Sequence, residues 1–209
     1  MNMKTFLGLV LVLFSFGTYA EGNYAGVGVG STDFESNDGT FQDDATGGGI
    51  FVGTRMLTKD RFSLDAEAGL FYTAEGDDSV SGDHTTIAVV GDSMVFNAGV
   101  NAGVHFQPSE NIGLNLYIPV GYSLWDGEIS ASCSRDRDGR ERKSSRRQRC
   151  DGEIGDADGD DSGVYYGIGL QADWGSKFFT RVSYIKYDID FGGIIDDPER
   201  IALDLGFKF

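Results

Sequence analysis

Cys133 and Cys150 are the two cysteines of this 209-residue chain, and between them stand Arg135, Arg137, Arg140, Arg142, Lys143, Arg146, Arg147 and Arg149 against Asp136, Asp138 and Glu141. Eight bases against three acids leave +5 in a chain whose formal net charge is −16. An even pair of cysteines within one segment of an exported chain most simply forms a disulfide, a cross-link worth about 3 kcal/mol in principle. A cationic patch of this density suits a polyanion such as lipopolysaccharide phosphate, a glycan or extracellular DNA. The plainer reading is a solvated loop that neutralises itself against the acids that follow, Asp151, Glu153, Asp156, Asp158, Asp160 and Asp161.

Asp156, Asp158 and Asp160 have the i, i+2, i+4 spacing of a calcium loop. Asp161 stands where the turn glycine belongs, however, and Gly167 where the bidentate glutamate belongs, which leaves loose surface calcium contact rather than an EF-hand. A serine nucleophile needs a histidine base, and the chain has two histidines. His84 lies beside Asp83, near Ser79 and Ser81, while His105 falls in a different segment. No Cys/His metal cluster, phosphate-cradling loop or basic-aromatic groove is present, so no metal or other cofactor is expected. A charge of −16 disfavours a specific nucleic-acid binder, which must neutralise phosphates.

The elements that would carry these residues begin with an export signal. Lys4, an apolar stretch over residues 6–16 and the small residues Thr18 and Ala20 read as a signal peptide, residues 1–20, removed after Ala20. A membrane anchor is the competing reading, but the stretch falls short of the ~20 residues a spanning helix needs. Residues 21–209 contain no longer apolar run, so the mature chain is either soluble outside the cytoplasm or crosses a membrane as a closed barrel.

Strict alternation decides that strands dominate. Met94, Phe96, Ala98, Val100, Ala102, Val104 and Phe106 are apolar, while Asn97, Gly99, Asn101, Gly103 and His105 separate them. The same period of two runs through 112–124, 62–72 and 201–209, and more weakly through 23–30, 48–57, 163–174 and 177–190, predicting eight strands. Short connections at 58–60, 107–111 and 175–176 alternate with long ones at 31–47, 73–91 and 126–162, and a moderate one at 191–197. The expected fold is therefore all-β: an eight-stranded antiparallel up-and-down transmembrane β-barrel with both termini periplasmic.

A secreted barrel with an apolar interior would show the same period. Three features place lipid on the apolar face: glycines crowd the polar face, aromatics gather at both strand ends, and the chain ends on alternating apolar residues. Phe62, Phe106, Trp174, Phe178 and Phe209 lie beside the short turns, and Tyr72, Tyr122, Tyr166 and Tyr184 toward the long loops, as in two interfacial girdles. Pro119 predicts a bulge or local break in its strand, and a second bulge is expected near Ile185, where parity is ambiguous. Lys186 shares lipid-facing parity near the outer end, where a cation costs only ~0 to 1 kcal/mol. Parity puts Arg55, Asp65, Glu67, Arg181 and Asp204 inside, where the narrow lumen of such a barrel forces charges to pair and plug it. A narrow or gated ion path through rearranged pairs is the alternative.

Strand pattern, loop asymmetry and the ending Leu203, Leu205, Phe207, Phe209 resemble the small eight-stranded outer-membrane barrels of the OmpA and OmpX type. That resemblance implies that Leu205, Phe207 and Phe209 signal to the barrel assembly machinery. It also implies an interior salt-bridge network, without saying which pairs form. With nothing after Phe209, the peptidoglycan-binding activity of OmpA's added domain is not expected. Small barrels of this kind include lipid A deacylases and acyltransferases, but the deacylases' His-x-Ser motif has no counterpart here. The reading is a non-enzymatic integral protein of the outer membrane, monomeric and in contact with outer-membrane lipids and lipopolysaccharide. It would act through extracellular loops in envelope integrity, adhesion or ligand contact. A small porin-like pore and then a lipid A-modifying enzyme are the alternatives.

Overall fold

A computed structural model of the chain describes residues 22–36, 42–73, 78–82, 85–134, 152–191 and 195–209. The strands are β1 (Asn23–Ser36), β2 (Gln42–Lys59), β3 (Phe62–Thr73), β4 (Asp78–Gly82), β5 (Thr85–Ser109), β6 (Ile112–Ser134), β7 (Gly152–Trp174), β8 (Phe178–Asp188), β9 (Asp190–Phe191) and β10 (Ile195–Lys208). Eight of them, β1, β2, β3, β5, β6, β7, β8 and β10, pair in antiparallel succession, and β1 pairs with β10 to close the barrel. The two short strands continue their predecessors upward, β4 along β5 and β9 along β10. Closure runs to the last residue, where the Phe209 backbone N–H donates to the Asn23 carbonyl at 2.8 Å. In a bilayer such a ring is required, because an open sheet edge would leave backbone polar groups facing hydrocarbon.

The alternation has the predicted sense. Val27, Ile50, Ile118, Ile168, Val182, Leu203 and Leu205 face outward and are exposed, with Leu205 at 58%. Their strand neighbours Asp65, Asn101, Asn115, Gln171, Arg181 and Asp204 are buried. All nine girdle aromatics are exposed, from Phe62 at the turn end to Tyr184 at the other. Asp60 and Gly175 turn the chain at positive φ, 56° and 66°, in the short connections.

The strands extend well past what alternation delimits. Much of the expected loop 126–162 is β-sheet: β6 runs unbroken to Ser134 and β7 starts at Gly152. From Ser123 to Ser134 the strand runs on for about 36 Å of its length at about 3.3 Å per residue. Below this stretch the outward positions are apolar where they meet lipid. Within it the polarity reverses: in β6 Trp125, Gly127, Ile129, Ala131 and Cys133 alternate with Asp126, Glu128, Ser130, Ser132 and Ser134.

Of the two irregularities expected, the one at Pro119 is present and the one near Ile185 is not. At Pro119 the ladder to β7 lacks pairs between Tyr117↔Gly169 and Val120↔Tyr166, yet the register is unchanged, so there is a local break and no bulge. Near Ile185 both ladders are continuous. Parity is ambiguous there because Ile185 points inward into an apolar cluster with Tyr165 and Tyr187. A real shift lies between Arg55 and Leu57, where Met56 is the extra residue.

The inward glycines have a steric cause. A Cβ on Gly53 would strike the Tyr24 ring, one on Gly169 the Tyr117 ring and one on Gly206 the Phe179 ring. Each large ring occupies the space that its facing glycine leaves, which is how a narrow barrel fills its interior. Gly169→Val should therefore cost about 3 kcal/mol or more through overpacking, whereas Gly48→Ala, which meets only ordinary contact, should change stability by less than about 0.5 kcal/mol. Urea unfolding of the refolded barrel, read by heat-modifiable gel mobility, checks both.

Candidate functional site

At mid-height, neighbouring strands and the opposite wall converge on one carboxylate. Glu67 on β3 accepts from Tyr24 of β1 at 3.0 Å, from Asn101 of β5 at 3.1 Å and from Arg181 of β8 at 2.6 and 3.2 Å. Arg181 also donates from Nε to Asp204 at 2.8 Å. Asp204 is its direct cross-strand partner on β10, so one guanidinium ties the barrel seam to the far wall. Arg55 and Asp65 form a separate bidentate pair between β2 and β3, at 2.9 and 3.3 Å. All five residues expected inside therefore lie inside. Three of them meet in one network, and the other two pair beside it.

Parity extends further than the five. Tyr24 and Asn101 join Glu67, while Lys208 pairs with Asp173 at 2.8 Å and Gln171 donates to Asp173 at 2.7 Å. Arg200 also points inward, its guanidinium stacked 4.4 Å from the centroid of the Phe71 ring. It follows the parity of Ala202 and Asp204, a signal that starting the last strand at 201 leaves out. Arg55, Arg181, Arg200 and Lys208 thus face Asp65, Glu67, Asp173 and Asp204, a neutral set among the described residues.

Aromatic side chains close the lumen on both sides of this layer. Tyr24, Phe51 and Phe179 pack below, and Phe71, Val95, Trp125, Tyr165, Ile185, Tyr187 and Ile189 pack above. Arg181 lies 4.3 Å from the centroid of the Phe51 ring. The interior is thus part polar and part aromatic, and burial on both sides strengthens the ion pairs while making each one costly to break.

Leu205, Phe207 and Phe209 lie on the outer face at the turn end, with Phe207 against Phe178 at 5.4 Å and against Phe209 at 6.4 Å. Lys186 at the opposite end pairs with Asp197 at 3.1 Å and Glu199 at 3.8 Å. His105 lines the mouth between the short turns, together with Arg61 and Asp173. His84 and Asp83 lie outside the described residues, as do the basic residues 135–149 and Cys150. Of Cys133 the backbone alone is described, opposite Gly152. Asp156, Asp158 and Asp160 belong to the regular strand β7, opposite Ser130, Glu128 and Asp126, so the turn of an EF-hand is not formed there. Among the described residues no group of three His, Cys, Asp or Glu could hold a metal ion.

The family model described as outer membrane protein beta-barrel domain matches residues 6–209. The chain belongs to this family. It is an integral outer-membrane barrel lying among the lipids of that membrane, with its long hairpins extracellular and its termini periplasmic. A solved structure of Ail, the attachment invasion locus protein of Yersinia pestis, has a TM-score of 0.53 at 15% identity and covers 91% of this chain and 99% of that one. Ail in complex with the heparin analogue sucrose octasulfate gives 0.52 at 16%, covering 90% and 99%. At this identity the likeness is one of fold. Comparison with curated protein sequences found no match.

Arg181→Ala strands Glu67 and Asp204 and should lower stability by ~3 to 5 kcal/mol. Lys186→Ala removes a half-exposed pair worth ~0 to 1 kcal/mol. Unfolding midpoints of the two variants in the same bilayer should differ accordingly, and equal midpoints would refute the central role of Arg181.

Proposed function

We propose that the protein is a closed, non-enzymatic scaffold that works through its extracellular hairpins, by binding polyanionic surfaces in adhesion or in maintaining the envelope. The observation that carries this is the contrast between the two ends of the same strands. Within the membrane the lumen is filled by paired charges between aromatic layers. Above it β5, β6 and β7 rise as a tall sheet, and the basic run from Arg135 to Arg149 follows the top of β6. A filled lumen gives no path for transport among the described residues, whereas a basic segment joined to the ends of two tall strands supports contact with partners at the cell surface.

The eight bases Arg135, Arg137, Arg140, Arg142, Lys143, Arg146, Arg147 and Arg149 bind sulfate or phosphate groups by charge, and a Cys133–Cys150 disulfide limits how far the segment spreads. The heparin analogue bound to Ail supports polysulfated sugars as the first probe. Leu205, Phe207 and Phe209 present the barrel to the assembly machinery, and the mature barrel starts at residue 21 and stands as a monomer.

The test uses the mature chain in nanodiscs with sucrose octasulfate and heparin. Binding should weaken steeply with salt and fall at least tenfold when the eight bases become Gln. Undiminished binding by that variant would remove the basic segment from the function. Discrete single-channel currents in a planar bilayer would favour the small pore instead.

A further inference from the structure

On the outer face, five strands carry one continuous row across the barrel seam. Asp44 of β2 stands directly opposite Asp33 of β1, Asp33 opposite Glu199 of β10, Glu199 opposite Lys186 of β8, and Lys186 opposite Tyr166 of β7. Tyr166 belongs to the outer aromatic girdle. The next outward row toward the membrane centre, Thr46, Ser31, Ile201 and Tyr184, ends on another girdle residue. Girdle tyrosines sit at headgroup level, so the acidic row does too. Asp44 is exposed there, and Asp33 and Glu199 are half-buried. Carboxylates directly opposite one another on neighbouring strands repel. Lys186 reaches Asp197 at 3.1 Å and Glu199 at 3.8 Å, which sets one cation against four acids and leaves the patch strongly negative.

We propose that this row docks the phosphates of outer-leaflet lipopolysaccharide through bridging divalent cations. The row is continuous with the lipid-facing surface of Val29, Leu203 and Val182 just below it, so the headgroups of the lipids on that surface lie against it. Their phosphates carry the same sign as Asp44, Asp33 and Glu199, and charges of one sign come into contact only with a cation between them. Among the described residues the carboxylates by themselves make no cage for a metal ion. That suits magnesium, which keeps several waters and binds through one or two carboxylates together with phosphate oxygens. Asp33, flanked by an acid on each side, can share such an ion with either neighbour. Lys186 is engaged by Asp197 and Glu199, which weakens the alternative of a direct lysine–phosphate contact. The row consists of strand residues alone, so it works whether or not the basic segment from Arg135 to Arg149 binds polyanions.

Manganese, a paramagnetic substitute for magnesium, tests this by NMR on the mature chain in nanodiscs containing lipopolysaccharide. Titrated Mn²⁺ should selectively broaden the backbone amide signals of Asp33, Asp44 and Glu199. At least tenfold more Mn²⁺ should be needed when the lipopolysaccharide has been dephosphorylated, with or without added inorganic phosphate. An equal requirement for the two lipids overturns the proposal, and restoration by inorganic phosphate makes the row a site for free phosphate instead. The combined variant Asp33→Asn, Asp44→Asn, Glu199→Gln loses like-charge repulsion and should still form the barrel, as heat-modifiable mobility reports, while also needing at least tenfold more Mn²⁺. Unchanged broadening in that folded variant overturns the assignment, and should the variant not fold, the comparison of the two lipids in the unsubstituted chain decides alone. Broadening should persist when the eight bases between Arg135 and Arg149 are changed to Gln. Its loss there would place the ion on the basic segment rather than on the row.

Discussion

Hydrocarbon offers no partner to a backbone N–H or C=O, and the rest of the molecule follows from that constraint. It demands that β1 meet β10, and with eight strands the closed ring leaves an interior only wide enough for side chains. Whatever faces inward must then pack and satisfy its polar groups there. Glu67 does this by collecting donors from β1, β5 and β8, so that one carboxylate tests the geometry of the whole ring.

The lumen solves two problems with different residues. Rings set over glycines supply packing density without widening the barrel, as with Tyr117 over Gly169. Charges supply cross-links between walls that are far apart in sequence, as with Arg181 and Glu67. Each solution supports the other, since aromatic layers exclude bulk water from the ion pairs and the ion pairs hold the rings in register. The same filling separates the protein's work from its transmembrane part and leaves contact with the surroundings to the raised hairpins.

Legibility varied with how directly a residue meets its solvent. Lipid-facing positions such as Val100 and Leu205 were readable because contact with acyl chains imposes a strict period of two. The inward charges Arg55, Asp65, Glu67, Arg181 and Asp204 came from the same parity, but their pairing did not. Arg181 could have served Asp65 as well as Glu67 until strand tilt and register set the distances. The upper halves of β6 and β7 do not continue the lipid-facing period: in β6 the apolar residues Trp125, Ile129 and Ala131 fall on the parity that is polar or glycine at Asn115, Gly121 and Ser123, so the pattern breaks at 125 although the strand does not. At Ile185 a change of parity was read as a bulge, although the strand is regular and the lumen itself becomes apolar at that level.

Alternation, loop asymmetry and terminal aromatics by themselves determined an eight-stranded barrel, which face meets lipid and which end faces the periplasm, because each follows from local contact with one of two solvents. Only the tertiary structure decided that Glu67 is the meeting point, that Arg200 stacks on Phe71 and that rings lie over glycines. Those are relations across the lumen between residues that no local period connects, and they exist only once the ring has closed.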